Sequence, residues 1–426
     1  MGGGCLGTEI MKKYIYLIVT IVLAVLSVGF VWYFYQSSPH PLKPKVPTTS
    51  IEKLEQQEKS PKVPLPKEPQ KSMPLKNDTT NTPIVGAIRW DAWHDGQVGR
   101  EVEKVLGPKK WRYRLPFFSQ EISDTKVFLR ADTQAVMDQE IDYANATGLN
   151  YWAFLTYEPM ATSNLSKSFR LYLSSSKKRD VNFALILHSN GLPSKTQWVA
   201  LIKKYVDYFK DPAYQKVAGG RPLFYIYELG GFVHWVGSEL DARNALAQLR
   251  DATVAAGLPP PYFVAMVWDA TQGASYVDSL GLQAISAYAN GAGYTYEEKP
   301  YSALAHSNQN FWEASKNTGK KVIPIVSAGW DPRPRWEIPV SWDTNPIPGT
   351  YYTDATPDEI ANNLKSAMDW NAKNPTMAEA NAVIIYAWNE IDEGGWLLPA
   401  NTVFNPVGTS RLDAISKMLR NWTSPL

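Results

Sequence analysis

The chain has 426 residues, a formal net charge of +2 and 20% charged residues, so neither nucleic acid nor another strongly acidic partner is expected. Its single cysteine, Cys5, excludes a disulfide within the chain and a cysteine-based metal site. Aromatic residues make up 12% of the chain, with 16 Trp and 23 Tyr, which fits a carbohydrate-processing enzyme and equally a large apolar core.

The first 35 residues predict a membrane anchor. Residues 14–35 contain no charge and no proline, and this run is long enough for a spanning helix, which needs about 20 apolar residues. Lys12 and Lys13 precede it and favour a cytoplasmic tail, residues 1–13. A cleaved signal peptide is the alternative, but its apolar region usually has about 7–15 residues. We therefore expect an uncleaved, single-pass signal anchor in the cell membrane.

Residues 36–82 predict a disordered linker. They are rich in Pro, Lys and Ser and have almost no aromatic residues, so they cannot bury enough apolar surface to offset chain entropy. Their prolines favour a semi-extended spacer. The domain that follows, residues 83–426, is therefore expected on the extracytoplasmic side of the membrane, in the periplasm or outside the cell.

Residues 83–426 alternate between short apolar runs and helical patterns. The runs are nearly continuous in apolar, β-branched or aromatic residues, as expected for strands that are buried on both faces of a parallel sheet. Eight such runs occur, at residues 84–90, 151–157, 182–188, 222–228, 262–268, 283–289, 322–328 and 382–388.

Helical patterns fill the gaps between the runs. Residues 196–209 place their apolar side chains on one face at a period of 3.6. Thr356 followed by Glu359 predicts a capping box, and Asp132 and Gly148 bracket another helix. Eight strand-then-helix units predict an α/β fold, a (β/α)₈ TIM barrel. A doubly wound open sheet is the alternative, but no G-x-G-x-x-G follows the first run, so no dinucleotide cofactor is expected.

The carboxyl ends of the strands carry the candidate binding residues, because barrel active sites are built there. Almost every predicted strand ends in polar or aromatic residues, so we expect an aromatic-lined, carboxylate-rich pocket that contacts a carbohydrate. The predicted substrate-binding residues are Trp90, Asp91, Tyr157, His188, Asn190, Glu228, Trp268, Asp269, Tyr288, Trp330, Asp331, Arg335, Trp388, Asn389 and Trp396.

Glu390 and Glu393 follow the last run and are the predicted catalytic pair. In a helical turn they would share one face, and two carboxyls that close raise the pKa of one of them, which suits a general acid beside a general base. Asp392 would point off that face, and Gly394 and Gly395 would leave room for a ligand to approach the backbone. A solvated acidic loop is the alternative interpretation.

Three other patterns allow weaker assignments. Asp331 could bind sugar hydroxyls, with Arg333 and Arg335 clamping it or binding an acidic sugar; an Asp–Arg structural pair is the alternative. His188 and His234 lack the spacing of a metal site, so no metal is expected. Ser189 lies outside a G-x-S-x-G elbow, which argues against a serine hydrolase.

The segment AWNEIDEGGWLLP resembles the N-E-W-x-E-G signature of the WbsX-like proteins and of glycoside hydrolase family 99, the endo-α-mannanases and endo-α-mannosidases. AGWDPRPR is similar to the G-W-D-x-x-P-R segment of the WbsX-like branch, and the resemblance covers most of residues 83–426. Ile391 stands where the signature has an aromatic residue. The resemblance implies a (β/α)₈ barrel that acts on glycans.

The resemblance also implies roles for the glutamates. Glu390 would assist attack by the substrate's own 2-hydroxyl, and Glu393 would serve as acid and then base in a retaining hydrolysis. Three alternatives remain: a retaining barrel whose carboxylate pair includes Glu228, a non-catalytic glycan-binding or cell-surface assembly protein, and a glycosyltransferase. The last is weakened because the chain has no D-x-D motif for a nucleotide sugar.

Overall fold

A computed structural model describes residues 82–406 and 408–425. The predicted tail, signal anchor and nearly all of the predicted linker lie outside these residues, so they stay predictions. Within the described part of the chain, no helix combines the length and the apolar character that a membrane span requires.

Eight parallel strands form the central sheet, and they coincide with the eight apolar runs of the sequence. Nearly all of their residues are buried, as expected for a sheet covered on both faces. The strands are β1 (Ile84–Arg89), β2 (Tyr151–Leu155), β3 (Asn182–His188), β4 (Arg221–Tyr227), β5 (Tyr262–Met266), β6 (Ala284–Ser286), β7 in two parts (Lys321–Val322 and Ile325–Ser327) and β8 (Ala382–Tyr386).

The strands are neighbours in chain order, and β1 also pairs with β8. The first part of β7 pairs with β6 and its second part pairs with β8. Pro324 lies between the two parts and cannot donate a backbone hydrogen bond, but its carbonyl accepts one from the Ile384 backbone nitrogen at 3.0 Å. This is the strand order of a (β/α)₈ barrel, and it rules out the doubly wound alternative.

Helices follow the strands. The face predicted within residues 196–209 is buried, and the capping box at Thr356 is present. Gly148 ends its helix in the left-handed conformation, although Thr133 rather than Asp132 caps the start. The helices are α1 (Gln97–Leu106), α2 (Gln134–Thr147), α3 (Lys167–Ser174), α4 (Trp198–Phe209), α5 (Leu229–Val236), α6 (Glu239–Ala255), α7 (Ala270–Leu280), α8 (Tyr301–Asn317), α9 (Arg333–Glu337), α10 (Pro357–Lys373) and α11 (Ser410–Asn421).

Several loops contain short strands that lie outside the barrel. Ser119–Ser123 and Lys126–Leu129 form an antiparallel hairpin between α1 and α2. Glu297–Lys299 pairs in parallel with Thr350–Tyr352, and Lys216–Val217 pairs with the start of β4. The sequence analysis did not predict these strands, because each is too short to show a periodic pattern.

Candidate active site

A cavity of about 370 Å³ opens at the carboxyl ends of the barrel strands. Eleven of the seventeen predicted site residues line it, which places the ends of most strands around one space. These eleven are Trp90, Tyr157, His188, Asn190, Glu228, Trp268, Tyr288, Trp330, Arg335, Glu390 and Glu393.

The turn after β8 carries both predicted catalytic glutamates. Asn389 and Glu390 pair in antiparallel fashion with Trp396 and Gly395, which folds the chain back on itself. Between them, Ile391–Glu393 forms a single turn of 3₁₀-helix. The turn is therefore helical, as the spacing of the glutamates suggested, and both carboxyls line the cavity.

The two glycines of this turn pack against protein and not against a ligand. Gly394 has a φ of +81°, and a Cβ there would lie 2.7 Å from the backbone nitrogen of Asp331. A Cβ on Gly395 would lie 2.4 Å from the Tyr386 ring, and one on Gly329 would lie 2.2 Å from the carbonyl oxygen of Gly394. The expectation that Gly394 and Gly395 leave room for substrate was therefore wrong. They let the turn pack tightly against the loop after β7.

Glu390 lies deep in the site. Only 3% of the residue is exposed, and the Tyr288 hydroxyl donates to its Oε1 at 2.5 Å. Burial, and then the negative charge of Glu393, raise its pKa well above the ordinary value, although Arg335 opposes this shift. A base in this position has to be ionised to accept a proton, whereas the raised pKa means that the surroundings of Glu390 disfavour the ionised form.

Glu393 lies nearer the opening of the site, with 18% of its side chain exposed. Arg335 donates to its Oε1 and the Tyr386 hydroxyl donates to its Oε2. Burial, followed by the charge of Glu393, raises the pKa of Tyr386 well above 10, so this phenol stays a proton donor at neutral pH. Each glutamate thus has its own tyrosine donor.

Arg335, on α9, holds the acidic turn together. Its Nε donates to Oδ2 of Asp392 at 2.6 Å, and its Nη2 lies 3.8 Å from Oε2 of Glu390. Asp392 is completely buried and bound to Arg335, so it does not point into solvent away from the site. Because Arg335 is bound to three carboxylates, it positions them and has no free face for an acidic sugar.

A second carboxylate cluster lies across the cavity, at the end of β4. Glu228 Oε2 accepts hydrogen bonds from Ser189 Oγ at 2.9 Å and Asn190 Nδ2 at 3.1 Å, and His188 Nε2 lies 3.0 Å away. The hydrogen bond with His188 is the main cause of a lowered pKa of Glu228, and burial opposes it. Glu228 has a φ of +53°, a conformation that non-glycine residues seldom adopt outside functional sites.

Aromatic rings form the walls of the cavity. The Trp90 indole donates to the Tyr157 hydroxyl at 3.0 Å, and Trp342 packs against Trp90 with 5.9 Å between ring centroids. On the other side, Trp330 packs against Trp268 at 6.4 Å. Apolar ring faces beside carboxylates match the two surfaces of a sugar, since its C–H face is apolar and its hydroxyls are polar.

Three predicted binding residues instead belong to the interior. Trp388 is completely buried, and its indole donates to Oε2 of Glu140 on α2 at 2.7 Å. Asn389 Nδ2 donates to Asp91 Oδ1 at 3.0 Å, and Asn389 Oδ1 accepts from the Trp90 backbone at 3.1 Å. Asp91 also accepts from Arg89 at 2.8 Å. Their polar groups tie β1 to β8 beneath the cavity, so their assignment as substrate-binding residues was wrong.

Three further predicted binding residues lie outside the cavity. Asp331 is buried between Arg333 and Arg114, which lower its pKa although burial opposes this. The structural ion pair is therefore the correct interpretation of that motif. Trp396 is buried under the Arg411 guanidinium, 3.6 Å from its ring. Asp269 caps α7 through the Gln272 backbone at 2.8 Å.

Sequence reasoning missed two aromatic residues that line the cavity. Tyr227 ends β4 and stacks on Tyr288 with 4.6 Å between ring centroids. Its place at the end of an apolar run was a usable signal. Trp342 lies in a loop far from any predicted strand end, where no pattern indicated it. In the described part of the chain, no group of three or more His, Cys, Asp or Glu side chains is arranged to hold a metal ion.

The parallel barrel, with a carboxylate-rich, aromatic-lined cavity at its strand ends, has a glycoside hydrolase-like fold. The chain belongs to the WbsX family, because residues 176–406 match the family model described as "Glycosyltransferase WbsX". This confirms the resemblance found in the sequence. No curated protein matches the chain.

Two solved structures share the fold. One, described as a glycoside hydrolase-like protein, has 12% sequence identity and a TM-score of 0.53, with 82% of this chain and 97% of that chain covered. The other is the GH99 endo-alpha-mannosidase from Bacteroides thetaiotaomicron in complex with bis-tris-propane. It has 14% identity and a TM-score of 0.51, with 79% of this chain and 96% of that chain covered. At these identities the likeness concerns the fold alone.

Proposed function

We propose that this protein is a retaining glycoside hydrolase that cleaves glycosidic bonds in a polysaccharide, with Glu390 and Glu393 as its catalytic pair. The observation that carries the proposal is that both carboxyls come from one turn and face one aromatic-lined cavity, each with its own tyrosine donor. The fold shared with an endo-alpha-mannosidase makes an α-mannoside the first substrate to test.

In the first step, Glu390 takes the proton of the sugar's 2-hydroxyl while that oxygen attacks the anomeric carbon. Glu393 gives its proton to the departing glycosidic oxygen, and a 1,2-anhydro sugar forms. The raised pKa of Glu390 suits a base that must accept a proton from a hydroxyl, because its proton affinity is then closer to that of the alkoxide.

In the second step, Glu393 takes a proton from water, which attacks the anomeric carbon. The bond from that carbon to O2 breaks, and O2 recovers its proton from Glu390. Two inversions give net retention of configuration. The first step needs a proton on Glu393 and an ionised Glu390, and the second step reverses both requirements. Arg335 and the two tyrosines hold both carboxyls in place through this exchange.

Glycosyl transfer is the second candidate, because the family carries that name. A nucleotide-sugar donor brings a diphosphate, which proteins usually bind with arginine, lysine or a metal ion. Among the described residues that line the cavity, Arg335 is the one arginine or lysine, and it is bound to carboxylates. The charge of the cavity therefore favours hydrolysis over transfer.

The test is product analysis on a panel of polysaccharides, starting with α-mannans and including β-glucans, galactans and acidic polymers. New reducing ends and retained anomeric configuration, followed by NMR, would support the proposal. In parallel, nucleotide sugars are supplied with the same acceptors. Release of nucleoside diphosphate without hydrolysis would assign the protein to the transferases.

We also propose that residues 14–35 tether the barrel to the cell membrane on its extracytoplasmic side. The support is the sequence alone: an uncharged run preceded by Lys12 and Lys13, and followed by a proline- and lysine-rich segment. A tether of this kind would keep the enzyme close to polymers of the cell envelope.

A further inference from the structure

A second cavity of about 450 Å³ adjoins the first. The two cavities share the side chains of Asn190, Tyr227, Glu228 and Trp268, so the cleft continues past Glu228. The N-terminal turn of α5 and one face of α7 form the remaining walls. Glu390 and Glu393 line only the first cavity. A site for a single sugar ring would therefore need the first cavity and not the second.

Trp268 lies where the two cavities meet. It is 49% exposed, although it is a large aromatic residue, and Trp330 supports it from one side. Large aromatic side chains that stay exposed in a concave surface commonly mark binding sites. A face of this indole is therefore available to a flat apolar surface such as that of a pyranose ring.

Two polar side chains of α7 line the second cavity without a hydrogen-bond partner among the described residues. They are the Gln272 amide and the Tyr276 hydroxyl. Tyr276 is positioned close to the start of α5, since a Cβ on Gly230 would lie 3.4 Å from its hydroxyl oxygen. A glycine at that position leaves the hydroxyl accessible from the cavity.

The charges of the cleft restrict what it binds. Glu390, Glu393 and Glu228 contribute carboxyl groups to its walls, and no lysine or arginine lines the second cavity among the described residues. Arg335, in the first cavity, is already bound to carboxylates. A carboxylate or sulfate on the ligand would thus lose hydration without meeting a free cation.

We propose that the second cavity is a binding subsite for the sugar residue next to the one that reacts, and that the cleft selects glycans without negative charge. The neighbouring sugar stacks on Trp268 and bonds to Gln272 and Tyr276. Substrates are accordingly neutral or amino-bearing chains of at least two consecutive residues. This inference rests on the proposed function, since it assumes that the first cavity binds a sugar.

The test is binding to a glycan array that holds neutral, amino-bearing and acidic oligosaccharides of one to six residues. All proteins carry Glu393→Gln, which keeps the glycans intact. We expect neutral or amino-bearing glycans to bind, with affinity rising from one to three residues. Adding Trp268→Ala should weaken trisaccharide binding about tenfold, a loss of about 1.4 kcal/mol, and should weaken monosaccharide binding less, because Trp268 lines both cavities.

Tyr276→Phe and Gln272→Ala should each give a smaller loss of the same kind. Tyr294→Ala is the matched control, because Tyr294 is fully exposed and lines neither cavity. Equal binding of acidic glycans, or binding of single sugars without any gain on lengthening, would overturn this inference alone. A protein that binds no glycan on the array would overturn the proposed function as well.

Discussion

Arg335 on α9 and Asp392 in the turn after β8 form an ion pair, with 2.6 Å between Nε and Oδ2. Asp392 has no exposed surface, and its partner also donates to Glu393 through a different nitrogen. Because the Arg335 guanidinium is fixed by Asp392, it sets the position of the Glu393 carboxyl that it also contacts. This pairing gives Asp392, which lies between the two glutamates in sequence, a structural role that its neighbours do not share.

Asp392→Asn should destabilise the protein and reduce its activity. An amide would leave the buried Arg335 with less compensating charge, and breaking such a pair costs about 3–5 kcal/mol. Thermal unfolding and turnover on a cleaved polysaccharide measure both effects. Asp269→Asn is the control, because Asp269 is exposed and an asparagine also caps a helix. Equal stability of the two variants would show that Asp392 has no such role.

Glu390→Gln and Glu393→Gln should each lower kcat by about 10²–10⁴-fold, because general acid and base groups typically contribute that much. Glu393→Gln should be partly spared on substrates with good leaving groups, which need little protonation to depart. Glu390→Gln should be impaired on all substrates. Kinetics on a natural and an activated glycoside separate the two roles.

Glu239→Gln, a change at an exposed position on α6, is the control for the loss of one carboxylate. Glu228→Gln tests the alternative catalytic pair. If Glu228→Gln abolished turnover while both Gln variants at the turn stayed active, the assignment of Glu390 and Glu393 would be falsified.

The raised pKa of Glu390 predicts how stability depends on pH. Its proton stabilises the fold below the ordinary glutamate pKa of about 4.3, and this contribution is lost as pH rises through the higher folded-state value. Glutamine cannot ionise, so Glu390→Gln should gain stability relative to wild type as pH rises from 4 to neutral, a range of about 3 units. Thermal unfolding at several pH values measures the difference.

Glu228 provides a comparison of opposite sign. Its pKa is lowered, so its stabilising contribution is present above the ordinary glutamate pKa and is lost as pH falls through the folded-state value. Glu228→Gln should therefore lose stability relative to wild type near neutral pH, and the loss should shrink on acidification. Parallel curves for the two variants would contradict both assignments.

Trp388→Phe and Trp342→Ala should have contrasting effects. Phenylalanine at 388 removes the donor to the buried Glu140, and a lost hydrogen bond to a charged group costs about 1.5–3 kcal/mol. KM should stay the same, because Trp388 does not line the cavity. Trp342 does line it and is half exposed, so its alanine variant should raise KM with little change in stability. Unfolding curves and steady-state kinetics distinguish the two outcomes.

The predicted anchor makes a separate prediction about topology. Protease added to intact spheroplasts should cut within residues 36–82 and release the barrel, because that segment is expected to be extended and outside the cytoplasm. Immunoblotting of membrane and soluble fractions measures the release. Full protection in spheroplasts, or a soluble mature form that starts near Gln36, would refute the tether.

The sequence indicated the barrel well because its strands are buried on both faces, which leaves a continuous apolar run at each of eight positions. It indicated which strand ends approach one another, since parallel strands place those ends on one rim. The sequence could not indicate which side chains at those strand ends point into the cavity. Trp388 and Asn389 follow β8 as directly as Glu390 does, but of these three only Glu390 lines the cavity.

The same limit applies to charge. Arg333 has its partner, Asp331, two residues away, so the sequence could suggest that pair, whereas the partner of Arg335, Asp392, lies on a distant segment and could not be foreseen. The raised pKa of Glu390 depends on its depth, which spacing from Glu393 does not reveal. The sequence does not predict which residues of a long loop, such as Trp342, reach the cavity, because the path of the loop is not encoded in a periodic pattern.

The close approach of Gly329 and Gly394 links two stretches of chain that lie 65 positions apart. Neither can acquire a side chain unless the other backbone moves, and the Asp331 nitrogen donates to the Glu393 carbonyl at 2.6 Å beside them. The two stretches therefore pack as one unit. A chimera between relatives that exchanges only the last β-strand and its turn would mismatch this contact, whereas exchanging the whole quarter from β7 onward would preserve it.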